Sequence, residues 1–303
     1  MLRLFFNYLI FPGFLFTATM GLLVSWIDRK ITARVQWRKG PPWYQNFLDL
    51  IKLMQKEIVI PGRKTFTFII SPFLGLISVT LVASMLGKLL INPHTEFIGD
   101  LIVVIYLLLI PGIALILGGS SSGNPLGSVG SSREMKLILA YELPSILAVL
   151  TVLIKTNGIR LTEIINHQMV YGPNITSISG FIAFLVTLIC YQAKLGFVPF
   201  DISEAEQEIM GGVLIEYSGL LLGIFKLTRM ILLYIMPLWL IILFWSNNLN
   251  FVILIWKYFL IFLLVVLIKN TSPRLRIDQA LKFFWGPVTI LGVIAIVLAL
   301  LGY

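Results

Sequence analysis

From Gly196 to Glu208 the chain reads Gly-Phe-Val-Pro-Phe-Asp-Ile-Ser-Glu-Ala-Glu-Gln-Glu, and four carboxylates (Asp201, Glu204, Glu206 and Glu208) fall within eight residues. Strongly apolar runs flank the segment on both sides. Unpaired carboxylates beside hydrocarbon are costly, so they neutralise, find cations or face a wet cavity. Two readings are open. The segment is a solvated loop whose acids favour the positive end of the following helix, or it is an entry point for protons or cations.

Further ionisable residues lie inside the apolar runs. Glu142 stands beside Tyr141 and close to Pro144; Glu216 stands beside Tyr217, with Lys226 and Arg229 further along. Such residues are rare at membrane depth and usually face a bundle interior or water. Glu204 and Glu208, four apart, share a face if the segment is helical. Glu208 and Glu216 are eight apart, about two helical turns. A chain of carboxylates leading inward is therefore geometrically feasible, and crowded acids in a partly dry site are suited to exchanging protons. The competing reading is a set of structural ion pairs, for example Glu216 with Lys226 or Arg229. Asp100, at a predicted outer boundary, reads as solvated.

The elements that must position these groups follow from composition. The 303 residues are 58% hydrophobic and 12% charged, with mean hydropathy +0.95. A soluble domain is about 45–50% apolar and about 25% charged. The pattern predicts an all-α, polytopic integral membrane protein forming a single transmembrane domain over residues 1–303. Eight spans are expected at about 5–27, 66–91, 98–118, 136–155, 176–195, 210–245, 251–268 and 286–302. The sixth is too long for one straight crossing, so it is tilted, broken near Pro237, or continued by a surface helix.

The connections after spans one, three, five and seven carry nine, two, one and four of the 23 Lys and Arg residues. Positive residues mark the cytoplasmic side, so these loops are expected in the cytoplasm and both termini outside. The net charge of +9 then reports orientation in a cell membrane and contact with lipid, not nucleic acid. The first span reads as retained, being too long for a leader and lacking a small-x-small cleavage pattern. Cys190 is the chain's one cysteine, and His94 and His167 stand in separate outer loops. One thiolate cannot hold an iron–sulfur cluster, so any redox cofactor is expected in partners.

Two loops have their own character. Gly118 to Ser132 is rich in Gly and Ser and reads as a flexible cytoplasmic loop without a nucleotide fingerprint. Ser131 or Ser132 is expected to cap a helix with Glu134 in its first turn. The first loop, Asp28 to Lys64, holds Arg29, Lys30, Arg34, Arg38 and Lys39, then Gly40-Pro-Pro-Trp43. Beyond it, Phe47, Leu50, Ile51 and Met54 recur at helical spacing, with Asp49, Lys52 and Lys56 elsewhere. This is a long amphipathic segment, either lying on the membrane surface or serving as a docking platform, and both roles are compatible.

Taken together, five stretches resemble one family: Asp28–Arg38, Asp49–Glu57, Ser132–Pro144, Pro199–Glu206 with Glu216–Gly219, and Pro273–Asp278. Their order and content are similar to the H-type membrane subunit of respiratory complex I and its relatives in membrane-bound energy-converting NiFe hydrogenases. The resemblance covers nearly the whole chain and implies eight spans with both termini outside. It implies a subunit that joins a peripheral redox arm to antiporter-like membrane subunits. Asp201, Glu204, Glu206 and Glu208 would line the entrance of an ion-coupling path that Glu142 and Glu216 continue. Arg29, Arg34, Arg38, Glu57, Arg133 and Glu134 would meet the redox arm or shape the cavity beneath it. Arg274, Arg276 and Asp278 would lock the last cytoplasmic loop through ion pairs.

The family's quinone-reducing members read Gly-Pro-Asn after the first-loop arginines, where this chain has Gly40-Pro-Pro-Trp43, and their usual Glu is Asp28 here. The resemblance thus favours a ferredoxin-linked hydrogenase type. Its cofactors, Fe–S clusters and a NiFe centre, would sit in partner subunits and none in this chain. The alternative is the quinone-site subunit of a complex I-like NADH or ferredoxin:quinone oxidoreductase. A self-contained cation/proton antiporter is a further rival, disfavoured by the missing internal repeat.

Overall fold

The computed structural model describes residues 6–62, 65–91 and 99–303, apart from the side chains of Thr65, Glu206 and Gln207. His94 and Arg3 lie outside them. Every regular element among the described residues is helical. That is the expected solution for an apolar chain, because a helix satisfies its own backbone polar groups without water.

Helix α1 (Phe14–Val35) follows a short π-turn, Phe6–Ile10, and α2 (Gln45–Gln55) is the amphipathic segment of the first connection. Then come α3 (Thr65–Ile91), α4 (Asp100–Ser121), α5 (Pro125–Thr156) and the short α6 (Leu161–Tyr171). Helices α7 (Ile178–Lys194), α8 (Gly219–Phe244) and α9 (Phe251–Thr271) follow, and α10 (Ile277–Phe283) runs through a π segment into α11 (Thr289–Leu300). Among the described residues, seven helical stretches are long and apolar enough to cross a membrane, and the 17-residue α7 is a shorter apolar helix at the predicted fifth span. The protein is a multi-pass membrane protein.

Four expectations are corrected. Helix α1 continues to Val35, so Asp28, Arg29, Lys30 and Arg34 sit on a helix and not in a loop. The Gly/Ser-rich stretch is helical at both ends, leaving only Ser122 to Asn124 between α4 and α5. Ser131 does not cap a helix; its hydroxyl donates to the Gly127 carbonyl inside α5. The sixth span starts at Gly219, which resolves its excess length: 26 residues rise about 39 Å. Pro237 lies within that helix.

The described chain divides into two compact units. The first contains the residues up to Met85, Tyr106–Met135 and Asp201–Ile235; the second contains Leu86–Ile105, Lys136–Phe200 and Met236–Tyr303. In the first, Phe68, Ala114, Tyr217, Leu221 and Phe225 form a buried cluster, with the Phe68 and Tyr217 rings stacked at 4.1 Å. The Tyr217 hydroxyl lies 2.9 Å from Ser71 Oγ and 3.0 Å from the Phe68 carbonyl. Burial pushes this phenol up to about 12.

Helix α2 docks through Asn46 and part of the predicted stripe, whose other members stay exposed. Buried Asn46 donates to the Leu22 carbonyl (2.9 Å) and accepts from Arg29 (2.5 Å). Leu50 and Leu53 pack beside Gly223 of α8, while Ile51 and Met54 are exposed.

In the second unit, buried Gln168 donates to the carbonyls of Ile242 and Leu243 and accepts from the Ser246 amide. It satisfies backbone groups at the end of α8 that have no partner within the helix. Asp100 is buried, not solvated: its Oδ1 accepts from the amides of Leu101 (2.7 Å) and Leu161 (3.0 Å).

Candidate functional site

The acidic segment folds as a tight loop against α5. Met210, Gly211 and Gly212 have φ of +52°, +94° and +48°, which turn the chain back so that the Val213 amide reaches the Ser203 carbonyl. A side-chain carbon at Gly130 of α5 would lie 2.7 Å from the Val213 nitrogen and 3.0 Å from the Ser203 carbonyl oxygen. Loop and helix backbone touch at Gly130, and only glycine permits that approach.

This contact brings distant acids together. Glu134, on α5 one turn past Gly130, is buried with 6% of its surface exposed, and Ser203 hydrogen-bonds its carboxyl. Arg229 of α8 bonds Glu204 at 2.5 Å and lies within electrostatic reach of Glu134 and Asp201. Three carboxylates thus lie within electrostatic reach of one guanidinium. The expected alternative pairing of Glu216 with Lys226 or Arg229 is replaced by Arg229 with Glu204.

The neighbouring acids are individually held. Glu208 takes the Arg133 guanidinium at 2.5 Å, so Arg133 clamps the acidic loop; it also reaches the Ile202 carbonyl at 3.5 Å. The side chain of Glu206 lies outside the described residues. Glu216 precedes α8 in a turn and is not one to two turns within it. Its carboxylate accepts from Asn124 Nδ2 at 2.6 Å, and Asn124 also caps the Leu126 amide at 2.9 Å. Glu216 thus sits at the positive end of α5.

Glu142 belongs to the second unit and is matched one to one. Lys194 at the end of α7 approaches it at 2.9 Å, with side chains 5% and 17% exposed respectively, as an electrostatic contact without an aligned hydrogen bond. The Lys194 ammonium also stands 5.5 Å from the Tyr141 ring and 6.0 Å from the Tyr191 ring.

The residues assigned by resemblance to docking or locking separate into three groups. Arg29 binds Asn46 and Asp49 (3.0 Å) and so fastens α2 to α1. Burial raises the Asp49 carboxyl, but hydrogen bonds from Gln45 and Arg29 and the charges of Arg29 and Lys226 outweigh it and hold the group below its usual range. Arg34 and Arg38, with Trp37 and Lys39, line an open cavity of about 430 Å³. Glu57 is exposed and its carbonyl accepts from Ser218 Oγ at 3.3 Å. The last loop is tied down by the Leu275 amide donating to the Pro199 carbonyl (3.0 Å), and the Arg276 amide donates to Gln279 Oε1 (3.2 Å). Arg274 and Asp278 flank these bonds.

Sequence reading missed the centrality of Glu134 and the roles of Lys194, Asn124 and Ser203. Glu134 had a signal: Gly130 lies four residues earlier on the same face. Lys194 had none beyond the rule that a buried acid needs a cation.

A family profile described as NADH dehydrogenase matches residues 8–300. Hydrogenase-4 component C of Escherichia coli (strain K12) is 35% identical over 206 residues, 67% of this chain, and the match spans 64% of that protein's length. NADH-quinone oxidoreductase subunit 8 of Thermus thermophilus is 32% identical over 297 residues, covering 88% of this chain and 80% of the relative. Among solved structures, a chain of the membrane-bound sulfane sulfur reductase, an archaeal respiratory membrane complex, matches with TM-score 0.86 at 29% identity, over 98% of this chain and 99% of that one.

Proposed function

The chain belongs to the NADH dehydrogenase family, as a membrane subunit of a complex I-like or hydrogenase-like respiratory oxidoreductase, and from that premise we propose that it docks a peripheral redox arm and couples electron transfer there to proton or sodium translocation. The observation that supports this reading is the Arg229–Glu204 contact with Glu134 and Asp201 within electrostatic reach of the same guanidinium. The cluster's affinity for a proton or sodium ion would respond to any nearby charge or loop movement. Each tenfold change in that affinity corresponds to about 1.4 kcal/mol of coupling.

The acidic loop is the element through which the arm would act. Asp201, Glu204, Glu206 and Glu208 form the mouth, with Glu134 beneath them; Glu216 and Glu142 extend the set of exchangeable groups. Helix α2, fixed by Arg29 and ending near Glu57, supplies the docking platform. The basic connections face the cytoplasm and both termini face outward. Cys190 is the chain's lone thiol, so its residues do not fit an Fe–S cluster or a NiFe centre; those belong to hydrogenase-like and Fe–S partner subunits. Antiporter-like subunits complete the membrane arm.

The 35% identity to a hydrogenase component supports the hydrogenase type, to which we assign ferredoxin as electron donor. A quinone-reducing complex is the second reading, supported by the longer match to the Thermus thermophilus subunit. Purification of the tagged complex in mild detergent, with mass spectrometry and metal analysis, separates them. Nickel with iron and antiporter-like subunits is the expected result; iron without nickel and co-purified quinone would favour the second. For coupling, Glu134→Gln and Glu142→Gln variants are expected to assemble but pump poorly per electron transferred. Normal pumping by both assembled variants would sink the ion path.

A further inference from the structure

We propose that the turn Glu216–Gly219 is a junction through which movement of the segment leaving α2 reaches Glu216, and that Ser218 is the positioning residue that makes the link. What Glu216 does with that movement rests on the coupling reading proposed above. All the parts lie in the first unit. Helix α2 ends at Gln55, and Lys56 turns extended, with ψ +148°. Ile58, Val59 and Ile60, which follow Glu57, are exposed, so backbone contacts and not side-chain burial hold the segment. Two of those contacts go to one hydroxyl. Ser218 Oγ accepts from the Val59 amide at 2.9 Å and donates to the Glu57 carbonyl at 3.3 Å. Beside it, Gly219 takes φ +55°, and a side-chain carbon there would lie 2.6 Å from the Lys56 carbonyl oxygen and 2.7 Å from that of Glu57. Only glycine lets the segment lie this close.

Three consecutive residues of the turn thus hold three different elements. Ser218 holds the segment after α2. Tyr217 stacks on Phe68 of α3, with its hydroxyl on Ser71 and on the Phe68 carbonyl. Glu216 accepts from Asn124, whose own Oδ1 accepts from the Leu126 amide at the start of α5. Tyr217 is buried with both its ring and its hydroxyl fixed, which makes it the pivot. A turn pinned at its centre rotates when one end is pulled, and the other end here is Glu216. Movement at Val59 is then felt at Asn124 and Leu126 through an unbroken run of contacts. The turn also continues the acidic loop. The Tyr217 amide donates to the Leu214 carbonyl (3.0 Å), the Leu214 amide to the Gly211 carbonyl (3.1 Å) and the Val213 amide to the Ser203 carbonyl (3.4 Å). The rival role for Ser218 is a clip that only fastens the end of α2, to which Glu216 would be indifferent.

The test is hydrogen–deuterium exchange on the detergent-purified complex, with ion flux and electron transfer measured on reconstituted portions of the same samples. Ser218→Ala is expected to speed exchange of the Val59 amide roughly fivefold, as loss of one hydrogen bond would, and to speed exchange of the Leu126 amide as well. Ions moved per electron should fall roughly twofold. Ser218→Thr, which keeps the hydroxyl, should restore all three. Faster exchange at Val59 with Leu126 as in the parent makes Ser218 a local clip and overturns the proposal. So does a Val59 amide indifferent to the substitution, or a Ser218→Thr variant as impaired as Ser218→Ala. If Leu126 responds while ions per electron stay at the parental value, the Glu134→Gln and Glu142→Gln variants decide what has failed. Poor pumping by those variants overturns the positioning role of Ser218; normal pumping by both sinks the ion path and leaves the mechanical link standing.

Discussion

Two buried charge groups in this protein are built on opposite principles. In the first unit, Glu134, Asp201 and Glu204 share Arg229; in the second, Glu142 has Lys194 to itself. The pair sets one acid against one base, whereas in the cluster several acids share the field of one guanidinium. The difference teaches where to look for coupling. A one-to-one pair reports on stability first, and a shared cluster on occupancy first.

The largest expected effect comes from breaking the match. Lys194→Met leaves a buried carboxylate uncompensated, at a cost of about 3–5 kcal/mol. Thermal unfolding of the purified protein should show the loss, and adding Glu142→Gln should restore most of it. If Lys194→Met is as stable as the parent, the pair is not the desolvated contact described.

Next in size is the loop contact. Gly130→Val places carbon against the backbone of Val213 and Ser203 and is expected to lift the acidic loop from α5, costing about 1–3 kcal/mol. Limited proteolysis between Asp201 and Gly211 should accelerate while α2 remains protected. The same variant should reduce ion translocation more than it reduces assembly.

Within the cluster, Arg229→Gln removes the shared cation and is expected to abolish coupled translocation while Glu142→Gln retains part of it. Reconstituted complexes with ion-flux and electron-transfer assays on the same sample make the comparison. Equal residual coupling in the two variants would erase the distinction between the paired and the shared groups.

Tyr217→Phe removes a hydroxyl with two partners in the first unit, worth about 0.5–1.5 kcal/mol for each bond. No change between pH 6 and 9 is expected in that loss, because the phenol is pushed up to about 12.

The smallest effect is that of Asp49. Its folded pKa lies below the unfolded value of 3.8, so its contribution is present above pH 3.8 and is lost as pH falls through the folded value. Both partners of the Arg29–Asp49 pair are 44% exposed, which limits it to a few tenths of a kcal/mol. Release of α2, followed through Trp43 fluorescence, should deepen below about pH 4 in the parent and be pH-independent in Asp49→Asn.

Much of this protein was legible in its residues. Apolar runs longer than a bilayer located the spans, because hydropathy acts locally and the backbone has one way to cross. The acidic segment, Glu142 and Arg229 stood out for the same reason: charge is conspicuous where it is expensive. Boundaries were less legible. The Gly/Ser stretch before α5 looked like a loop by composition, yet small residues there let the loop 201–215 lie on the helix, a purpose visible only in contact.

What the sequence determined by itself was which residues enter the membrane and which of them carry charge, since both depend on single side chains and their immediate neighbours. Tertiary structure alone decided the pairings. It gave Glu142 to Lys194 and Glu204 to Arg229, set Glu216 on Asn124 and drew Glu134 into the cluster. Those partners lie between 25 and 92 residues apart wherever their hydrogen bonds fix the separation. Over such distances no spacing rule operates, and packing chooses which charge each acid meets.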